Sequence, residues 1–196
     1  MFSTADRNRF LVLCSLFIVP SLAHAHVGIG QAGGFGQGFS HPLGGLDHLC
    51  AMVAVGLWAA QRGGRALWAV PLTFVTVMAL GGIIGMAGIG IPFVETGILL
   101  SVLLLGVLIA ASVRLPLAAS IAIVALFAIF HGYAHGAEMP ANASGIAYAA
   151  GFAFSTSLLH LCGIGLGIAI QKLATPQFVR FAGAAIVLFS AWLWVG

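Results

Sequence analysis

Six long apolar runs follow one another along the chain, separated by short breaks that carry glycine, proline or charge. The runs occupy residues 43–61, 66–89, 94–112, 115–136, 144–170 and 177–195. Each reaches or comes close to the ~20 residues that a helix needs to cross the hydrocarbon layer of a bilayer. Small-residue stretches within them, such as GGIIG (81–85) and GIGLG (163–167), are typical of close helix packing in membranes. The pattern predicts an all-α integral membrane protein, with one domain of six transmembrane helices over residues 26–196.

The first 25 residues have the pattern of a secretory signal peptide. Arg7 and Arg9 precede the apolar stretch FLVLCSLFIVP, and AHA at 23–25 fits the small-residue rule for signal peptidase. Because this stretch is too short to span a bilayer comfortably, we expect cleavage after Ala25 rather than a further membrane helix. The glycine-rich segment 26–42 has no periodicity, and we predict that it forms a loop-like leader on the periplasmic side.

Composition supports a membrane protein and excludes other classes. Only 6% of the residues are charged and 61% are hydrophobic, whereas soluble domains carry about a quarter charged residues. No basic patch is interleaved with aromatic residues, so a nucleic-acid partner is not expected. No GxxxxGK[ST] loop is present to indicate an ATPase subunit. The expected surroundings are a lipid bilayer, and the sequence leaves open whether the protein forms a homo-oligomer.

Basic residues are restricted to breaks on one predicted side of the membrane. If the signal exports the N-terminus, the connections at 61–65, 112–115 and 171–176 face the cytoplasm. These connections and the start of the last helix hold every basic residue of 26–196, namely Arg62, Arg65, Arg114, Lys172 and Arg180. This is the distribution that the positive-inside rule predicts. We therefore expect a multi-pass protein of the bacterial inner membrane with both mature termini in the periplasm.

Acidic and imidazole side chains are concentrated towards the opposite, outer side, where Glu95 is one of them. In FHGYAHGAE (130–138), potential ligands stand at positions i, i+4 and i+7 of one helix, and are His131, His135 and Glu138. At about 100° per residue these positions lie within roughly 60° of one another. One helical face therefore presents two imidazoles and a carboxylate.

A second group of such residues stands in HPLGGLDH (41–48). His41 and His48 would share a face of a continuous helix, but Pro42 and the glycines at 44 and 45 can instead leave His41 on the approach to the helix. Spacing also leaves open whether Asp47 binds a metal directly or orients His48 through its ring N–H. Deeper in the fifth run, His160 is either part of a transport path or proton relay, or a histidine hydrogen-bonded between helices.

The free-energy cost of placing these acidic and imidazole side chains in a membrane indicates that they have a function. Ionisable residues inside a membrane are expensive and are functional by default. A mixture of imidazole and carboxylate suits a divalent transition-metal ion such as Ni²⁺, Co²⁺, Cu²⁺ or Zn²⁺. An interior-negative potential favours entry by about 2.3 kcal/mol per unit charge for each 100 mV. The residues thus predict uptake of a divalent metal ion without a nucleotide.

The motifs HPLGGLDH and FHGYAHGAE together resemble the HupE/UreJ family of nickel permeases, over essentially the whole chain. The resemblance implies nickel as the substrate, with cobalt as a neighbouring one, and supply of the metal to hydrogenase or urease. It implies that the ligands are the residues of two motifs, H-x5-DH at His41, Asp47 and His48, and H-x3-H-x2-E at His131, His135 and Glu138. Spacing by itself implies only a divalent transition metal.

Cleavage after Ala25 suggests one further ligand. It would free an α-amine on His26, so that one residue could offer an amine and an imidazole, a nitrogen pair that favours tetragonal Ni²⁺ or Cu²⁺. This hypothesis is similar to the metal-binding N-terminus of nickel and cobalt energy-coupling-factor transporters. The competing interpretation is a terminus with an incidental histidine.

Other classes of protein use similar residues. An intramembrane metalloenzyme is disfavoured because the sequence has neither an H-E-x-x-H motif nor a nucleophile beside a base, so we expect neither an enzyme nor a catalytic cofactor. A haem-binding cytochrome and a metal-binding or sensor protein without transport remain alternatives. A permease needs a polar route to the cytoplasm, and the inner half offers little beyond His160 and the hydroxyls at 155–157.

Overall fold

The structure is a computed structural model that describes residues 33–173, 175 and 177–195. This part of the chain forms seven α-helices and no strand. The helices are α1 (Gly33–Gly44), α2 (Leu46–Arg62), α3 (Ala66–Met86), α4 (Val94–Ala110), α5 (Leu117–Ala137), α6 (Gly145–Leu173) and α7 (Gln177–Val195). The all-α fold class is confirmed for these residues. The predicted signal peptide and His26 lie outside them.

Each of the six predicted runs coincides with a helix, but not every helix is long enough to span a membrane by itself. By length and composition, four helices can do so, and these are α3, α5, α6 and α7. The pair α1–α2 qualifies only when both helices are counted, and it is bent by 86° at its break. Helix α4 has 17 residues, a length of about 26 Å at 1.5 Å per residue. The described residues therefore contain four candidate spans, or five if the bent pair counts as one span, and the count of six stays a prediction.

The described part of the glycine-rich leader, from Gly33 onwards, is not the loop that its composition predicts. From Gly33 onwards the chain is helical, and α1 continues to Gly44. This helix lies against α6, and the contact is close because a Cβ at Gly38 would overlap the carbonyl oxygen of Tyr148. The expectation of a loop is wrong for this segment, since glycine removes the periodic signal but permits the helix to pack tightly on a neighbour.

The outward faces of the helices are apolar. Large hydrophobic side chains on several helices are more than half exposed, among them Leu80, Ile83, Leu126, Leu161 and Leu188. Exposed apolar surface of this extent is rare on soluble monomers and is the normal surface of a helix that faces lipid. The protein is a multi-pass helical membrane protein.

Helix α5 approaches α3 closely along a strip of glycines. A Cβ at Gly132 would overlap the carbonyl oxygen of Met78, and one at Gly136 would overlap the carbonyl oxygen of Gly82. On the α3 side, Gly81 and Gly85 meet backbone oxygens of α5 in the same way, which confirms the packing predicted from GGIIG. His131 and His135 each directly precede one of these α5 glycines. The close contact of the two helices therefore also fixes the position of both imidazoles.

Charge is separated between the two ends of the bundle. Within the described residues, the basic side chains lie where α2, α4 and α6 end and where α3, α5 and α7 begin. Two of them connect neighbouring elements there, because Arg180 Nε donates to the carbonyl of Ala110 at 2.8 Å and Arg62 donates to the carbonyl of Leu115, between α4 and α5. The acids of residues 33–195 lie at the opposite end, at the starts of α2 and α4 and after α5.

Candidate metal centre

A sharp break between α1 and α2 builds the first part of the site. Gly45, the residue between them, is extended, with φ −107° and ψ 121°. A Cβ on Gly45 would lie only 2.8 Å from Asp47 Oδ1, so a side chain there would press on the acid. The break puts His41 at the end of one helix and His48 in the first turn of the next. His41 is therefore not stacked above His48 on a continuous helix.

A polar cavity of about 420 Å³ lies at this end of the bundle. Six of its nine lining residues carry an imidazole or a carboxylate, namely His41, Asp47, His48, Glu95, His135 and Glu138. The three acids are all those of residues 33–195. Concentrating every acid of the described chain in one cavity, in a protein with so few charges, gives this cavity the chemistry of a cation site.

Three of these side chains converge on one point from two different parts of the chain. His41 Nε2 lies 3.1 Å from Glu138 Oε2, and the rings of His41 and His135 are 4.7 Å apart between centroids. One ligand atom from each of the three residues lies within 4.8 Å of the other two. We call His41, His135 and Glu138 the outer cluster. Two imidazoles and a carboxylate at this spacing are suited to a divalent transition metal.

Asp47 contacts His48 directly. Asp47 Oδ1 accepts the ring N–H of His48 Nδ1 at 3.0 Å and the backbone N–H of the same residue at 2.8 Å. A carboxylate in this position fixes the tautomer and the orientation of an imidazole and leaves Nε2 as its unprotonated nitrogen. Of the two roles that spacing left open, this geometry favours orientation of His48.

The histidine rings continue inwards from the outer cluster as a row. The ring of His48 is 4.2 Å from that of His135 and 4.9 Å from that of His131. His131 is fully buried and its Nε2 lies 2.8 Å from Ser101 Oγ on α4. The three residues of FHGYAHGAE therefore do not act as one group, because His131 lies deeper than His135 and Glu138 and has a different partner.

Beyond His131 the row passes an aromatic ring. Phe74 on α3 lies 5.6 Å from His131 and 5.3 Å from His160, measured between ring centroids. His160 is 1% exposed, and neither of its ring nitrogens has a hydrogen-bond partner among the described residues. The interpretation of His160 as a histidine hydrogen-bonded between helices is not supported by these contacts.

Two residues of this region were missed by sequence reasoning. Glu95, in the first turn of α4, lines the cavity, although its position among the outer acids suggested no particular role. Its rarity could have indicated a function, since Glu95 is one of only four acidic residues in the whole chain. Ser101, which contacts His131, is one serine within an apolar run and gives no signal without the packing of α4 on α5.

Fold and site together define the class of protein, a multi-pass helical membrane protein with a buried row of imidazoles that begins at an acidic cavity. A model of the HupE / UreJ protein family matches residues 13–193, and the chain belongs to this family, as its two motifs predict. The chain is similar to Protein HupE of Rhizobium leguminosarum bv. viciae, with 47% identity over 178 residues that cover 91% of this chain and 93% of that protein. No solved structure matches the chain.

Proposed function

We propose that the protein is an inner-membrane permease that imports Ni²⁺ from the periplasm, with Co²⁺ as an alternative substrate. The observation that carries the proposal is the outer cluster, in which ligand atoms of His41, His135 and Glu138 lie within 4.8 Å of one another. Membership of the HupE/UreJ family, which is associated with nickel and cobalt supply to hydrogenase or urease, supports this choice of metal.

The cavity supplies both the charge and the ligands that a hydrated cation needs. Asp47, Glu95 and Glu138 line it, and their combined negative charge attracts a divalent ion from the periplasm. Imidazole nitrogens then replace water in the coordination shell, which favours Ni²⁺ or Co²⁺ over Mg²⁺ and Ca²⁺. The outer cluster would be the first position at which the ion exchanges water for protein ligands.

The row of rings provides a route from this position into the bundle. His135 is a member of the outer cluster and also lies 4.2 Å from His48, whose ring is in turn 4.9 Å from His131. His160, on the far side of Phe74, would be the next nitrogen donor on the path towards the cytoplasm. These imidazoles supply the polar groups that the apolar inner half otherwise lacks.

Membrane orientation and driving force follow from the separation of charge. With the basic end in the cytoplasm, as the positive-inside rule predicts, the acidic cavity opens to the periplasm. A divalent ion then gains about 4.6 kcal/mol for each 100 mV of interior-negative potential. Entry thus needs no nucleotide, and the protein acts on the metal as a substrate, without a catalytic reaction. If the mature chain begins at His26, that residue adds a ligand outside the described residues.

Reconstitution tests the proposal directly. Purified protein in liposomes with an interior-negative potential should accumulate radioactive nickel, and Co²⁺ should compete better than Mg²⁺. The variant His135→Ala should lose most of the uptake, because His135 belongs to the outer cluster. Uptake equal to that of empty liposomes, or uptake that His135→Ala leaves undiminished, would overturn the proposal. Metal binding without uptake would identify the protein as a non-transporting metal-binding protein instead.

A further inference from the structure

We propose that His48 Nε2 and His131 Nδ1 form a second, inner metal-binding position, and that Ser101 is a positioning residue that makes His131 Nδ1 available. The proposal rests on the proposed function for the identity of the ion, a divalent transition metal. It concerns a position inward of the outer cluster. Neither family motif includes Ser101, which lies 30 residues before His131 on a different helix.

The first nitrogen of the inner position is set by Asp47. Because a carboxylate can only accept, the contact of 3.0 Å between Asp47 Oδ1 and His48 Nδ1 requires the proton of a neutral His48 to be on Nδ1. The lone pair of this ring is then on Nε2. That atom is buried and has no hydrogen-bond partner in the described part of the chain.

Ser101 determines which nitrogen of His131 is unprotonated, and this nitrogen is the second one of the inner position. Ser101 Oγ lies 2.6 Å from the carbonyl oxygen of Ile98, which can only accept, so the single hydroxyl proton is donated there. The contact of 2.8 Å between Ser101 Oγ and His131 Nε2 must then be a bond that His131 donates. His131 is therefore protonated on Nε2 and carries its lone pair on Nδ1, which is buried and has no hydrogen-bond partner among the residues that the structure describes.

The two available nitrogens belong to neighbouring rings. The centroids of His48 and His131 are 4.9 Å apart and their planes are nearly perpendicular, at 88°. Buried polar atoms in folded proteins are almost always paired, so two unpaired acceptors on adjacent imidazoles point to a ligand. A pair of neutral imidazole nitrogens is the donor set that Ni²⁺, Co²⁺, Cu²⁺ and Zn²⁺ accept and that Mg²⁺ and Ca²⁺ avoid.

His135 connects the inner position with the outer cluster. Its ring lies 4.7 Å from that of His41 and 4.2 Å from that of His48, and both of its nitrogens are buried without a partner among the described side chains. An ion held by the outer cluster can therefore keep its bond to His135 while it exchanges His41 and Glu138 for His48. The arrangement suits a stepwise transfer between two positions.

Nitrogen NMR of the metal-free protein tests the tautomer without any substitution at Ser101. In protein labelled with ¹⁵N-histidine, His131, assigned by the loss of its signals in His131→Gln, should show a protonated Nε2 and an unprotonated Nδ1. A protonated Nδ1 in the native protein would overturn the proposal. This outcome would leave the proposed uptake of nickel unaffected, because it concerns only one ring.

Substitution of Ser101 tests its positioning role. Ser101→Ala should give a mixture of His131 tautomers and weaken nickel binding at the inner position by about 10- to 100-fold, as is typical when a partner of a metal ligand is removed. Ser101→Thr keeps the hydroxyl and should restore both properties. Ser120→Ala is the matched control, since Ser120 is also fully buried and donates to a backbone oxygen nearby in the sequence, that of Pro116 just before α5. Equal tautomer ratios and equal affinities in Ser101→Ala and Ser120→Ala would overturn the proposal.

A background without the outer cluster isolates the inner position. Equilibrium dialysis with Ni²⁺ alone should show one bound ion per chain in the His41→Ala/Glu138→Gln variant, and none after the further change His131→Ala. Absence of binding in the first variant, with the protein folded, would overturn the inner position even if the native protein transports nickel. Conversely, native protein that binds two ions but transports none would overturn only the proposed function.

Discussion

His41 Nε2 and Glu138 Oε2 lie 3.1 Å apart, although 97 positions of the chain separate the two residues. The side chain of His41 is 28% exposed to solvent and that of Glu138 is 59% exposed. A contact between an imidazole and a carboxylate that is so open to water contributes only about 0–1 kcal/mol to stability. The pair therefore holds α1 and the end of α5 together only weakly, and its residues are free to bind a cation.

This weakness predicts that Glu138→Gln impairs nickel uptake without unfolding the protein. Loss of a contact to a charged group typically costs about 1.5–3 kcal/mol, and a loss of this size at Glu138 corresponds to a roughly 10- to 150-fold higher KM for uptake. The thermal unfolding temperature in detergent should change little. Initial rates of uptake over a range of nickel concentrations measure the first effect, and a thermal shift assay measures the second.

The conservative variant Glu138→Asp serves as the control, because it keeps the charge and shortens the side chain by one methylene. We expect its KM to lie between those of the native protein and Glu138→Gln. A KM for Glu138→Gln equal to the native value would show that the outer cluster does not select the ion.

Asp47→Asn should weaken nickel binding through His48. The change replaces the carboxylate, which can only accept, with an amide that can present either its oxygen or its NH2 group to His48 Nδ1, so the His48 tautomer is no longer fixed. Loss of such a partner typically costs 10- to 100-fold in metal affinity. X-ray absorption spectroscopy of the nickel-loaded protein distinguishes this role from direct ligation. The number of nitrogen and oxygen neighbours around nickel should be the same in Asp47→Asn as in the native protein. Loss of one oxygen neighbour would instead identify Asp47 as a ligand.

The helices could be predicted from the sequence because a lipid environment requires long apolar runs. The run at 177–195 coincides with α7, and the runs at 66–89 and 144–170 differ from α3 and α6 by no more than a turn at the ends. Helix α1 could not be predicted, since its glycines carry no periodicity and its close contacts lie on α6. The fold therefore followed from local composition except where a distant neighbour decides the conformation.

The candidate site could be predicted as a set of residues but not as an arrangement. Spacing grouped His131 with His135 and Glu138, because the three positions would share one face of a continuous helix. The structure separates them, since Ser101 of α4 takes His131 as a partner while His41 takes Glu138. The tertiary fold decides which neighbouring helix packs against each part of a helical face. This packing cannot be predicted from the spacing of residues along one helix.

His160→Leu should slow transport while leaving binding at the outer cluster intact. Leucine fills a similar volume but offers no nitrogen, and the native ring has no partner among the described residues that would be left unpaired. We expect the maximal rate of nickel uptake to fall about tenfold or more, an increase of at least about 1.4 kcal/mol in the barrier. The KM should change less than twofold. A native maximal rate in His160→Leu would remove this residue from the transport path.

The close contact of α5 with α3 predicts a strong effect of a single methyl group at Gly132. A Cβ there would overlap the carbonyl oxygen of Met78, and overpacking of this kind costs about 1–3 kcal/mol. Gly132→Ala should lower the thermal unfolding temperature and reduce uptake, because the neighbouring His131 moves with the backbone. Gly165→Ala is the control, since a Cβ at Gly165 meets no atom within 4 Å. Equal stability of the two variants would contradict the assignment of Gly132 to a tight crossing.

Separation of charge between the two ends predicts the orientation of the protein in the membrane. Ala141, between α5 and α6, and Ala111, at the end of α4, are exposed at the acidic and the basic end respectively. In a background with Cys14→Ser, Cys50→Ser and Cys162→Ser, we expect a membrane-impermeant maleimide to modify Ala141→Cys in intact spheroplasts. It should modify Ala111→Cys only after permeabilisation, because basic segments are retained in the cytoplasm. The cysteine-free parent is the control for labelling. The opposite pattern would turn the acidic cavity towards the cytoplasm, and the row of imidazoles would then lead metal out of the cell.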